Sequence, residues 1–137
     1  MPGSDAPALL ILGGTAEARD LAAAAVGGFG DRLRVVTSLA GRTREPAAVA
    51  GEVRIGGFGG AAAMADALRA DGIAMVVDAT HPFAAAISAN AAEACTAVGV
   101  PRLLLHRPPW TPVPEDRWVD AAHMTDVAAR LPGLGKR

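Results

Sequence analysis

Short runs of Val, Ile and Leu alternate along this chain with alanine-rich stretches of helical length. The apolar runs fall at 8–12, 33–37, 53–55, 74–78 and 102–105, and the stretches at 16–26, 61–71 and 83–98 have helix-forming composition. The helical stretches end at Gly27, Gly72 and Gly99, where a left-handed C-terminal residue is least costly. The apolar runs are nearly continuous, with no in-out alternation, as expected of strands buried on both faces of a parallel sheet covered by helices. The pattern predicts an α/β fold: a doubly wound parallel sheet of about five strands in three layers.

Two stretches depart from that rhythm. Between 38 and 52, Pro46, Gly41 and Gly51 interrupt a segment too short for a full crossover helix, so a loop with at most one helical turn is expected. From 106 the text becomes HRPPWTPVPEDRW, with four prolines between 108 and 114, which excludes a helix or central strand and predicts a rigid extended segment. A short strand at 118–119 and a helix over 121–131 are expected next. Residues 1–131 are thus read as one domain, and 132–137 (PGLGKR) as a linker toward a second domain absent from the chain.

Composition narrows the field of functions. A chain of 137 residues can bury a sizeable core, since a domain of this size hides roughly two-thirds of its unfolded surface. No apolar run approaches the roughly 20 residues that span a bilayer. The formal net charge of −1 lacks the basic footprint of a nucleic-acid binder. The single cysteine, Cys95, can form no internal disulfide and no thiolate metal site; in its alanine-rich stretch it reads as a small buried hydrophobe. No metal is expected, and with no leader pattern at the start the cytoplasm is the default compartment.

Four candidate motifs gather at the carboxyl ends of the predicted strands, where open α/β sheets bind ligands. In LLILGGTAEAR a strand enters a helix through Gly13, Gly14 and Thr15, bringing backbone N–H groups and the positive helix end together. Against the dinucleotide fingerprint Gly13 matches, Thr15 replaces the second glycine, and Ala18 fills a place that accepts alanine. The alternative is an ordinary tight turn. About 20 residues on, where an NAD-type Rossmann fold presents an acid to the ribose, SLAGRTRE offers Ser38, Arg42, Thr43 and Arg44. Those donors suit a 2′-phosphate, hence NADP over NAD, unless they merely solvate a loop. GGFGG at 56–60 carries more glycine than a turn needs, as if a surface were kept clear for a bound molecule.

DATHPF closes the fourth strand with Asp78, Thr80 and His81 at the same edge and Pro82 in a first-helical-turn position. His81 is a candidate proton donor or carboxylate ligand, or a neighbour of the helix cap. Ser88 and Asn90 read as polar interruptions of the following helix. Arg107 and Trp110, set among prolines, are either a rigid rim with a planar anion-binding fork or a connector.

Taken together, ILGGTAEAR, SLAGR, GGFGG, VVDATHPFAAAISANAAEAC and GVPRLLLHRPPW resemble the precorrin-6A reductase family of cobalamin biosynthesis, in matching order and spacing from about residue 9 to residue 119. The resemblance implies NADPH-dependent reduction of a precorrin-6A double bond to give precorrin-6B, and two Rossmann-like domains with the tetrapyrrole between them. It further implies that Gly13, Gly14, Thr15 and Glu17 line the dinucleotide turn, and that Ser38, Gly41 and Arg42 surround the adenosine ribose phosphate. Gly57, Phe58 and Gly59 would approach the cofactor's far half. Asp78, Thr80, His81 and Pro82 would sit near the nicotinamide, with His81 and Asp78 the catalytic candidates, and His81, Arg107 and Trp110 would face substrate. Family members are roughly twice this length, so this chain would supply the cofactor half, completed by a second-domain chain or by a homo-oligomer. Two other classes stay open: a non-catalytic NADP(H)-binding or nucleotide-sensing module, and an α/β enzyme acting on another phosphorylated small molecule.

Overall fold

The computed structural model describes residues 5–41 and 48–134. These form two compact units, one ending at His106 and the other beginning at Arg107. In the first, five strands form one sheet in the order β3-β2-β1-β4-β5: β1 Ala8–Leu12, β2 Arg34–Leu39, β3 Glu52–Ile55, β4 Ile73–Asp78 and β5 Arg102–Leu104. Every pairing is parallel. Helix α1 (Ala16–Phe29) joins β1 to β2, α2 (Ala61–Ala70) joins β3 to β4, and α3 (Ala85–Val98) joins β4 to β5.

The central apolar runs become strands buried on both faces, as expected, whereas the runs at 53–55 and 102–105 form the edge strands β3 and β5, which lie at the ends of the sheet order and leave Val53, Ile55, Leu103 and Leu104 exposed. All five β1 residues are buried, and alternation divides them between two cores. Leu10 and Leu12 join Val36 and Val76 under α2 and α3, meeting Met64, Leu68, Ala91, Ala94 and Cys95. Leu9 and Ile11 join Val35 and Val77 on the other face, where α1 lays down Ala18, Ala22 and Ala25. Alanine at these positions lets the helices lie close to the sheet. The result is the three-layer doubly wound sheet that the hydrophobic pattern predicts.

This strand order fixes where a ligand can enter. From β1 the chain passes through α1 to β2 on one side of β1; α2 later carries it across to β4 on the other. Connections leaving the carboxyl ends of β1 and β4 therefore diverge to opposite faces and leave a crevice between them, the topological switch point.

Several boundaries differ from expectation for local reasons. Helix α1 runs through Gly27 and Gly28 to Phe29, and Gly30, at φ +53°, ends it by donating its N–H to the Val26 carbonyl. Arg32 in the following 3-10 turn bonds the carbonyls of Gly28 and Phe29. Strand β2 extends to Leu39 because its last residues pair on both sides, Ser38 with Leu12 and Leu39 with Ile55. Helix α3 starts at Ala85, so Pro82 lies in a preceding turn closed by the Ala84 N–H and the His81 carbonyl at 2.8 Å. In the second unit no strand forms at 118–119; the Asp116 carboxylate takes up the Val113 N–H and the Trp118 indole N–H in a local turn. The last helix, α4, is Met124–Leu134, starting and ending three residues later than expected.

Candidate functional site

The β1–α1 turn is shaped by three residues with different duties. Gly13 donates its N–H to the Ser38 carbonyl at 2.9 Å, and a Cβ there would come within 2.7 Å of the Thr37 methyl. Only glycine lets the turn lie this close to β2. Gly14 stands at φ +104° with nothing within 4 Å of where its Cβ would be; the backbone there is bare and open. Thr15 caps α1, its hydroxyl accepting the Ala18 N–H at 3.2 Å and donating to the Ala79 carbonyl at 2.7 Å. That second bond crosses the switch point and ties the β1 turn to the β4 turn. Glu17 falls in the first turn of α1, where a carboxylate is favoured by the helix dipole.

At the end of β4 the carboxylate of Asp78 is wholly enclosed. One oxygen accepts the Thr80 N–H at 3.1 Å and the Thr80 hydroxyl at 2.6 Å; the other has no hydrogen-bond partner. Thr80 continues the chain to Ser88 of α3, oxygen to oxygen at 3.3 Å. This Asp78–Thr80–Ser88 series fixes the turn from beneath, so Asp78 holds the turn that presents His81 and is sealed from the surface. Ser88, read from the sequence as a polar interruption, is part of that support. His81 is exposed. Its Nδ1 accepts the Phe83 N–H at 3.3 Å, which leaves Nε2 as the nitrogen free to meet a ligand, and the Phe83 ring lies 5.0 Å away, centroid to centroid. The start of α3 carries no side-chain cap.

Beyond β3 the 56–60 loop has an organiser that the sequence reading passed over. Arg54, the third residue of β3, donates to the Gly56 carbonyl at 2.9 Å and to the Gly57 carbonyl at 3.4 Å. Its guanidinium carbon sits 3.8 Å from the centre of the Phe58 ring, and Phe58 packs against the core beneath α2 and α3. Gly56, Gly57 and Gly60 are open at their Cβ positions, and Gly60 precedes α2 with no side-chain cap. The available signal was a cation placed two residues before a glycine run. Phe58 is thus partly an anchor for the loop, while Gly57 and Gly59 form its exposed rim.

The other sequence candidates are distributed unevenly. Ser38 is 6% exposed and pairs in register with Leu12 on one side and Arg54 on the other; its side chain belongs to the sheet and does not line an open loop. Gly41, at φ +75°, packs against the Ile55 side chain. Arg42, with Thr43 and Arg44, lies outside the described residues. Arg107 and Trp110 belong to the second unit, where Trp110 is 82% exposed. Cys95 is buried in α3, and that burial pushes its thiol up, with Arg102 opposing in part. Among the described residues there is no group of three or more His, Cys, Asp or Glu placed to hold a metal, and no helix is long and apolar enough to cross a membrane.

Fold and site together define a Rossmann-like α/β domain whose glycine turn and polar β4 turn meet at the switch point. Residues 8–137 match the family described as precorrin-6x reductase CbiJ/CobK, and the chain belongs to that family. It is 52% identical over 129 residues to a precorrin-6A reductase of Rhodococcus erythropolis, covering 94% of this chain and 51% of that protein. A precorrin-6A reductase of a Sinorhizobium species is 46% identical over 125 residues, covering 91% and 47%. A solved structure described as CobK precorrin-6A reductase superposes with a TM-score of 0.83 at 45% identity, covering 92% of this chain and 49% of that one. The chain thus spans about half the length of the relatives it matches.

Proposed function

We propose that this chain is the NADPH-binding half of a precorrin-6A reductase, acting in the reduction step of cobalamin biosynthesis that yields precorrin-6B. The observation that carries the reading is the open glycine turn at the switch point, tied to the DATHPF turn, in a member of this family. The residues fit the cofactor: Gly14 leaves bare backbone beside the N-terminus of α1 for a pyrophosphate, and β2 closes on Thr37, Ser38 and Leu39, with no acid at the strand end where an NAD-type fold presents one to the ribose. NADPH supplies the hydride, and the macrocycle takes it on one carbon of a ring double bond and a proton on the other.

The chain's own residues bind and orient. Gly13, Gly14, Thr15 and Glu17 form the dinucleotide turn, which Ser38 supports through the carbonyl that accepts the Gly13 N–H; Gly41 and Arg42 lie toward the adenosine ribose, with Gly57, Phe58 and Gly59 on the same side of the sheet, and Thr80 lies toward the nicotinamide. His81, through Nε2, is the group to donate a proton or hold a substrate carboxylate; Asp78 acts through the turn it braces. Arg107 and Trp110 are the substrate-facing candidates for the tetrapyrrole. The protein works in the cytoplasm, and the rest of the site corresponds to the half of the relatives' length that these 137 residues do not match.

Titration of the chain with NADPH and NADH, followed by nicotinamide fluorescence, tests the cofactor claim. The expected result is micromolar affinity for NADPH, weaker affinity for NADH, and loss of NADPH affinity in Arg42→Ala. Binding of neither dinucleotide would sink the reading. NADPH binding without precorrin-6A turnover, with or without the second-half polypeptide, would point to a binding or sensing module.

A further inference from the structure

The strand order bears on which end of the cofactor the 56–60 loop serves. β3 lies beside β2, on the opposite side of β1 from β4. The β3 end and its loop therefore share the adenosine side of the sheet, away from the DATHPF turn, whereas the family resemblance alone assigns the loop to the cofactor's far half. The ends of β2 and β3 are joined directly, Gly56 N–H to Leu39 carbonyl at 2.8 Å, and Arg54 stands in register with Ser38.

On this basis, and resting on the NADPH reading above, we infer that Arg54 reads the 2′-phosphate together with Arg42 and contributes to the preference for NADPH over NADH. A guanidinium has five N–H donors. Two are engaged by the carbonyls of Gly56 and Gly57, and three are left for an anion. Among the described residues no carboxylate pairs with Arg54. Phe58 covers one face of the group, and the two carbonyls fix its plane. A cation held still before the ligand arrives loses little freedom on binding, which favours a bidentate grip on phosphate. Ser38, expected from sequence to help at this position, is buried in β2, whereas Arg54 is held at the point where the ends of β2 and β3 meet.

The test compares 2′,5′-ADP with 5′-AMP and NADPH with NADH by calorimetric titration of the 137-residue chain, in the natural protein and in Arg54→Met and Arg54→Lys. The natural protein should favour the 2′-phosphorylated member of each pair. Arg54→Met should lose about 10- to 100-fold in affinity for 2′,5′-ADP and NADPH, the range for hydrogen bonds to a charged group, and much less for 5′-AMP and NADH, which feel only the loosened 56–60 loop. Arg54→Lys keeps the charge without the fork and should retain only part of the discrimination; it carries the comparison if Arg54→Met does not fold. Equal losses for NADPH and NADH, or unchanged discrimination in both variants, would overturn the assignment to Arg54 while leaving the cofactor reading intact. A natural protein that binds neither dinucleotide would overturn both.

Discussion

The Thr15 hydroxyl takes part in two hydrogen bonds, one local and one reaching across the sheet. Replacing it by valine keeps the shape but removes both, leaving an uncapped first turn and an unmet Ala79 carbonyl. Thr15→Val should cost about 1–2 kcal/mol in urea unfolding, and Thr15→Ser should restore most of it. Its glycine neighbour behaves differently. Gly13→Ala forces a methyl against Thr37 and should cost about 1–3 kcal/mol as an overpacked contact, read from the same unfolding curves. Asp78→Asn brings a buried NH₂ beside an oxygen site that now has no partner, and a loss of about 1–3 kcal/mol is expected. The capping role of Thr15 was within reach of the sequence, since a threonine just before a helix is a familiar cap. The tie to Ala79 was not, because nothing local announces a partner on another strand. Asp78 shows the same limit: its place at a strand end is legible, but its enclosure depends on α3 and Ser88.

At the scale of elements, β1 and β2 were legible because burial on both faces leaves a continuous apolar run; β3 and β5 carry apolar residues too, but as edge strands they leave most of them exposed. Helix ends were less legible. Gly27 reads as a stop, yet it and Gly28 have open Cβ positions on the exposed end of α1, and the helix passes through both to Phe29, ending at Gly30. Pro82 read as a first-turn residue but sits in the turn before α3. Cys95 gives α3 a built-in reporter. Burial raises its thiol above the ordinary cysteine range, so the folded state resists thiolate formation. Its contribution is intact below the unfolded thiol's pKa and is lost as pH rises toward the folded one; unfolding free energy should fall above about pH 9, and Cys95→Ala should remove that fall. In α4 the Asp126 carboxylate accepts the Ala122 N–H and pairs with Arg130 at 2.9 Å. The Arg130 and Ala122 contacts hold its pKa below the usual carboxylate value, so its support of the helix is present above the unfolded pKa and lost as pH falls through the folded one. Acid titration of helical circular dichroism should show a loss that Asp126→Asn largely abolishes.

For the whole molecule, composition and pattern sufficed for an α/β sheet of about five strands, but not for the order in which they lie side by side. That order, set by which strands pair, decides that GGFGG belongs beside β2 and not beside β4. Relatives are about twice as long as this chain, so turnover is best measured with both halves present. Precorrin-6A reduction is expected when this chain is mixed with the second-half polypeptide of a relative, read as NADPH consumption.

The bond between Thr15 and Ala79 joins residues 64 positions apart, and that separation sets an order of assembly. As the polypeptide leaves the ribosome, the glycine turn, α1 and β2 all emerge before the residue that fastens them. A nascent chain extended only through α2 has its glycine turn in outline, but the turn is still open on one side. Because long loops must close before their contacts can reward them, the crevice is finished late, when β4 slides in beside β1 and the two turns are pinned together. Shortened chains that stop ahead of β4 should therefore fail to hold a dinucleotide, although they contain every glycine of the first turn.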